Sequence, residues 1–223
     1  MARFILFDID LTLIKTNGAG RHAMDEAFTE LFGVADPTSG ISFDGRTDRA
    51  IFTDALRKHG LGDDRYEECI SGYLARLERS VALKGGEVLP GIAAVLDALR
   101  ESHAAVGLAT GNFRRGAELK LGHFGLWERF AAGGFGDGKL IRADVVAEGM
   151  RALAAAMGEA PEPSETLVIG DTPLDIEAAH AAGAKALGVA TGSYSEEQLR
   201  EAGAEFVLRD FSDVAGAVSV LRG

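Results

Sequence analysis

Four consecutive apolar residues run straight into two carboxylates near the start of the chain, and this stretch constrains the fold more than any other. Phe4-Ile5-Leu6-Phe7 is rich in aromatic and β-branched side chains, the pattern of a strand buried on both faces. Asp8 and Asp10 follow two apart, with Thr12 two further on. On a backbone that stays nearly extended, these three polar side chains project to one side. Two carboxylates are thereby expected at the carboxyl end of a strand, the edge where open α/β sheets bind ligands. Carboxylates so close repel unless a cation or a shared proton holds them. A hard divalent ion such as Mg²⁺, which prefers oxygen ligands, is the natural partner.

A hydrophobic content of 47% over 223 residues is enough to bury a sizeable core in one or two domains. Twenty-three Lys and Arg stand against 34 Asp and Glu, a formal charge of -11, and no basic run occurs, which argues against nucleic acid as a partner. Acid interrupts the first apolar run too early for a signal peptide, and no stretch is long enough to span a membrane, so the expected location is cytoplasmic. Cys69, the single cysteine, sits at helical spacing with Tyr66, Ile70 and Tyr73, as a packed thiol would. His22, His59, His103, His123 and His180 are scattered without ligand spacing, so a zinc site is not supported.

The pattern changes after Leu13. A helix is expected from near Gly18 to Gly33, then a turn-rich loop at residues 36–40, a second helix capped by Thr47 or Asp48, and a third from Asp63 to Leu83. Residues 16–85 thus read as an inserted helical domain ending in Lys84-Gly85-Gly86, while 1–15 and 86–223 form the other domain. From Pro90 strand and helix alternate, as in a parallel sheet with right-handed crossovers. Strands are expected at Ala104–Thr110, Phe130–Phe135, Thr166–Ile169, Lys185–Ala190 and Glu205–Leu208. Helices are expected at Arg114–Phe124 and Arg142–Met157, the latter closed by Pro161-Glu162-Pro163, and an alanine-rich one follows Gly170-Asp171-Thr172-Pro173-Leu174-Asp175 to Ala182. Ser195 to Gln198 matches a capping box. Trp127, beside Phe124, Leu126 and Phe130, reads as core packing. The fold class is α/β, a doubly wound parallel sheet with an inserted α-helical cap.

Polar residues end three of these strands: Asp8 and Asp10, Thr110 to Asn112, and Asp171 with Asp175. Parallel strands bring such ends to one sheet edge, with Lys139 or Arg142 on the loop after the third strand as a balancing cation. In order and spacing this constellation resembles the haloacid dehalogenase-like superfamily. Asp8-Ile9-Asp10-Leu11-Thr12-Leu13 resembles its first motif, Thr110-Gly111-Asn112 its second, and Gly170-Asp171 followed by Asp175 its fourth. Asp44-Gly45-Arg46-Thr47-Asp48 together with Pro90-Gly91 resembles the phosphoglycolate-phosphatase-like branch. Leu11 stands where most members have glycine, a departure that bears on backbone geometry. The usual Lys-Pro pair of the third motif is absent, and Arg142 is assigned its role, with Lys139 as the alternative.

The resemblance implies a Mg²⁺-dependent phosphatase acting on a small phosphorylated metabolite. Asp8 would be the nucleophile that forms an aspartyl-phosphate. Asp10 would be the general acid and base, a task suited to a carboxyl whose pKa a neighbouring carboxylate raises. Mg²⁺ would lie on Asp8, the Asp10 carbonyl and Asp171, with Asp175 orienting the site. Thr110, the Gly111 and Asn112 amides and Arg142 would hold phosphoryl oxygens. Arg46, in the cap, is the candidate for reaching an anionic group of the substrate. A phosphomutase like β-phosphoglucomutase shares these motifs, and a phospho-acceptor signalling module is the alternative from another class.

Overall fold

A computed structural model describes residues 3–102, 104–160 and 162–222, which leaves His103 and Pro161 of the expected loop outside the described residues. Strand β1 (Phe4–Phe7) occupies the middle of a six-stranded parallel sheet. The other strands are β4 (Ala105–Ala109), β5 (Gly133–Gly134), β6 (Thr166–Gly170), β7 (Lys185–Val189) and β8 (Phe206–Leu208). Their spatial order is β5-β4-β1-β6-β7-β8, with Phe4 level with both Ala105 and Thr166. The chain order therefore reverses about β1, a topological switch point of the kind that opens a crevice at the strands' carboxyl ends.

Alternation along β1 explains its burial. Ile5 and Phe7 face a core layer with α4 (Ile92–Glu101), α5 (Arg114–His123) and α9 (Val214–Arg222). Phe4 and Leu6 face the opposite layer with α6 (Arg142–Ala156), α7 (Pro173–Ala181) and α8 (Glu196–Glu201). Capping boxes close the N-termini of α7, through Thr172 and Asp175, and of α8, through Ser195 and Gln198. Trp127 packs half-buried against the first layer.

A third apolar cluster lies in the stretch between β1 and α4. It is built from α1 (Ala19–Phe32), α2 (Asp48–Lys58) and α3 (Tyr66–Lys84), and Cys69 is fully buried within it. Burial pushes the Cys69 thiol up to about 11, as expected of a packed side chain. Thr47 is the N-cap of α2 and its hydroxyl accepts from the Ala50 amide at 3.2 Å. The chain enters and leaves these helices through a two-stranded antiparallel ribbon, β2 (Ile14–Lys15) with β3 (Glu87–Val88). Such two-residue strands are too short to show in a periodicity reading.

The expected strand over 130–135 is corrected to Gly133–Gly134 alone. Gly134 packs against the Val145 backbone so closely that a Cβ there would collide with its carbonyl oxygen. Only this glycine pair brings the edge close enough to pair with Leu108 and Ala109.

Phe113 joins the helices to the sheet domain. It stands in the loop after β4 yet is buried in the helical cluster, its ring 5.5 Å from that of Phe52 and 6.2 Å from that of Tyr73. Phe113→Ala is expected to lower stability in urea unfolding by about 3–5 kcal/mol. It should also speed tryptic cleavage after the exposed Lys15 and Lys84 beside the ribbon; unchanged cleavage would show that Phe113 does not tether the helices.

Candidate active site

The backbone leaves β1 at Phe7 and turns at once. The Asp8 amide donates to the Ile169 carbonyl at 2.8 Å, the Leu13 amide to the Ile9 carbonyl at 2.9 Å, and Leu11 takes φ +58°. The extended reading through Thr12 is thus corrected. Thr12 is fully buried and its hydroxyl has no partner, while Asp8 and Asp10 both line the crevice. The left-handed region at Leu11 strains a residue with a Cβ, and the Thr191 hydroxyl, which donates to the Leu11 carbonyl, helps to hold the turn.

Asp8, Asp171 and Asp175 converge at the ends of β1 and β6. One carboxylate oxygen from each lies within 4.8 Å of the others, and all three residues are buried. Arg142, at the start of α6, reaches across from the far side of the crevice. Its Nη2 lies 2.6 Å from Asp8 Oδ1 and 2.8 Å from Asp175 Oδ1. Lys139, the alternative for this position, instead pairs with Glu148 at 3.0 Å. Asp175 has both oxygens engaged, since Oδ2 accepts from the Thr172 hydroxyl at 2.8 Å and from the Thr172 amide. No neighbouring donor is directed at Asp171 among the described residues. The absence of a side chain at Gly192 leaves room for the Asp171 carboxylate, which any Cβ there would strike.

One guanidinium does not neutralise three buried acids. Burial pushes the Asp8 carboxyl up to about 6 despite the opposing pull of Arg142, with Asp175 and Asp10 adding repulsion. Asp171 is pushed up to about 9, first by burial and then by Asp175 and Asp8. A hard cation would relieve this excess. The donor set fits Mg²⁺: carboxylate oxygens of Asp8 and Asp171, with Asp175 bonded to protein and so suited to orienting rather than ligating.

Asp10 occupies a separate arm. Its carboxylate accepts from Lys120 Nζ at 2.9 and 2.7 Å and from Asn112 Nδ2 at 2.8 Å. Asn112 Oδ1 in turn accepts from Lys120 at 2.7 Å, and the Thr110 hydroxyl accepts from Asn112 Nδ2 at 2.8 Å. Burial works to raise the Asp10 pKa, but Lys120 and Asn112 outweigh it and the carboxyl lies below its ordinary value. The expectation of a raised Asp10 pKa is corrected accordingly: the neighbour that decides it is an ammonium, not a carboxylate. Lys120 escapes a reading of the sequence because one lysine within a helical pattern carries no positional signal.

Gly111 is required by close approach, since a Cβ would collide with the Arg46 carbonyl and crowd Arg142 Nη1. Its own carbonyl accepts from the Asp48 amide at 2.7 Å. The Asn112 amide donates to the Thr110 hydroxyl at 3.3 Å. Arg46 lines the crevice, but its guanidinium is bound to Asp54 at 2.6 Å and to the Ser42 carbonyl. Helices and sheet together enclose a cavity of about 320 Å³ with Asp8, Asp10, Lys120, Arg142 and Asp171 on its floor. No helix among the described residues is long and apolar enough to cross a membrane.

Residues 5–189 match the family model of haloacid dehalogenase-like hydrolases. The chain belongs to that family. It is 27% identical to "Probable phosphatase IndB" of Dickeya dadantii over 99% of this chain and 95% of that one. It is 28% identical to a phosphoglycolate phosphatase of Rhodospirillum rubrum, over 96% and 90%. The crystal structure of a predicted phosphatase from Clostridium acetobutylicum superposes with a TM-score of 0.76 at 22% identity, covering 99% and 100% of the two chains.

Lys120→Met is expected to reduce stability by about 1–3 kcal/mol. That is less than for breaking a fully buried pair, because 40% of the Asp10 side chain is exposed. Unfolding in urea reads this directly, and a variant as stable as the parent would show that Lys120 does not hold Asp10.

Proposed function

We propose that the protein hydrolyses a small phosphate monoester through an aspartyl-phosphate at Asp8, with Mg²⁺ on Asp8, the Asp10 carbonyl and Asp171. The observation that carries this reading is the division of acids into two arms: Asp8 with Arg142 and Asp171 on one side, Asp10 with Lys120 on the other. An Asp8 oxygen attacks phosphorus and the bond from phosphorus to the ester oxygen breaks. The leaving oxygen takes a proton from Asp10, and Asp10 then removes a proton from the water that attacks the aspartyl-phosphate and releases inorganic phosphate. To donate first, Asp10 must be protonated, and an incoming phosphate dianion beside it raises its pKa toward that state.

Arg142 and Thr110 bind the phosphoryl oxygens and offset the charge that spreads over them in the transition state. Bound Mg²⁺ supplies charge neutralisation and orientation of the phosphoryl group. Residues 16–85 act as a cap that excludes water and selects the ester, and residues 1–15 and 86–223 carry the chemistry. The substrate is a small phosphorylated metabolite, met in the cytoplasm.

Phosphate release from a panel of monoesters, measured with Mg²⁺ and with EDTA, tests the reading. Release is expected only with Mg²⁺, abolished in Asp8→Asn and slowed by roughly 10²–10⁴-fold in Asp10→Asn. Isomerised sugar phosphate in place of free phosphate would reject hydrolysis. Millimolar Mg²⁺ should also raise the melting temperature, by an amount equivalent to roughly 3 kcal/mol at a hundredfold excess over its dissociation constant. Asp171→Asn should lose that shift, and an undiminished shift would remove Asp171 from the metal site.

A further inference from the structure

The helices bring Asp48 and Tyr73 to the cavity above its catalytic floor. Asp48, the first residue of α2, lines the cavity with its carboxylate. One of its oxygens, Oδ2, accepts from the Phe113 amide at 3.0 Å; Oδ1 accepts from no donor among the described residues. Tyr73 on α3 has its ring buried, and its hydroxyl has no hydrogen-bond partner among the described residues. Tyr73 Oη and Lys120 Nζ converge beside Gly20, where an added Cβ would stand 3.8 and 3.5 Å from them. Lys120 is already bonded to Asp10 and Asn112, whereas Asp48 Oδ1 and Tyr73 Oη keep an acceptor and a hydroxyl for a ligand.

The cations able to read a carboxylate are engaged. The Arg21 guanidinium donates to the Thr38 and Ile41 carbonyls and to the Thr38 hydroxyl, and stacks 3.9 Å over the Phe43 ring. Arg46 is held by Asp54. Lys15, also on the lining, is exposed, and a hydrated ammonium discriminates weakly. A carboxylate on the leaving group would face Asp48 across a cavity with no free buried cation above its floor among the described residues.

Resting on the phosphatase reading above, we infer that the leaving group is an uncharged, hydroxyl-rich one, a polyol, sugar or cyclitol. In this arrangement Asp48 Oδ1 accepts from one of its hydroxyls and Tyr73 Oη exchanges a hydrogen bond with another. A site built to hydrogen-bond hydroxyls rejects a ligand that lacks them because its polar groups are then left unpaired. Repulsion between Asp48 and a second carboxylate acts in the same direction.

Sorbitol 6-phosphate and phosphoglycolate test this, since both are esters of a primary alcohol and differ in the group attached to the ester carbon. The parent enzyme is expected to favour sorbitol 6-phosphate in kcat/KM by at least roughly tenfold. Asp48→Asn keeps an acceptor for the Phe113 amide, and Tyr73→Phe keeps the packed ring. Each should shrink the ratio of the two kcat/KM values severalfold, with Asp48→Asn also improving phosphoglycolate. Titration calorimetry on Asp8→Asn protein, with and without Asp48→Asn, reads the same preference as binding without turnover. Equal or better use and binding of phosphoglycolate, or a ratio that neither variant moves, would overturn the inference and leave the phosphatase standing. Absence of phosphate release alone would count against the phosphatase, while the binding preference still decides the leaving group.

Discussion

Mutual repulsion of buried carboxylates is the constraint on which the rest of this structure depends. Parallel pairing of β1 with β6 fixes Asp8 and Asp171 side by side, and the cap of α7 adds Asp175. Arg142 is the cation placed against this group, and it is spent on Asp8 and Asp175. What is left is a carboxylate, Asp171, to which no other described residue donates and which burial pushes far above its ordinary range. A site in this condition attracts a hard cation and an anion that bridges to it. The local backbone accepts its own strain to build it, with Leu11 held at positive φ in the turn that follows Asp10.

The same economy of charge runs through the second arm. Lys120 and Asn112 orient Asp10 and hold its carboxyl below the ordinary value; in the proposed reaction this suits proton removal in the second half, and the approach of an anionic ester adjusts it for the first. The Lys120 ammonium makes three hydrogen bonds, and Arg21 and Arg46 are held by protein acceptors, while Asp48 and Tyr73 keep hydrogen-bonding capacity on the cavity lining. Chemistry and selection are therefore separated in space. In the proposed reaction the sheet edge holds the phosphoryl group and the helices meet the group attached to it.

Much of this is legible in the sequence, and the parts that are not share a cause. The Phe4–Phe7 run, the strand ends at Thr110 and Asp171, and the cap at Thr47 are written in local pattern, so their elements can be placed. Arg142 can be chosen over Lys139 because its distance from Asp171 matches the family's spacing. Lys120, Tyr73 and the buttressing of Asp48 by Phe113 cannot be found that way, because they acquire meaning only when α3 and α5 pack together across the crevice. Arg46 reads as free in the sequence because its partner Asp54 lies about two turns further along, a pairing that local pattern does not flag. The C-terminal helix Val214–Arg222 is equally hard to read, being short and flanked by no strong stop signal.

The account stands on Asp8 as a covalent nucleophile, and acid-quenched labelling with a radiolabelled phosphate ester tests that most directly. Label is predicted to appear on the peptide carrying Asp8, to be released as inorganic phosphate when borohydride reduces that acyl phosphate to the alcohol, and to decay at the rate of phosphate release. Phosphate released with no label on the protein, or label on another residue, would contradict it.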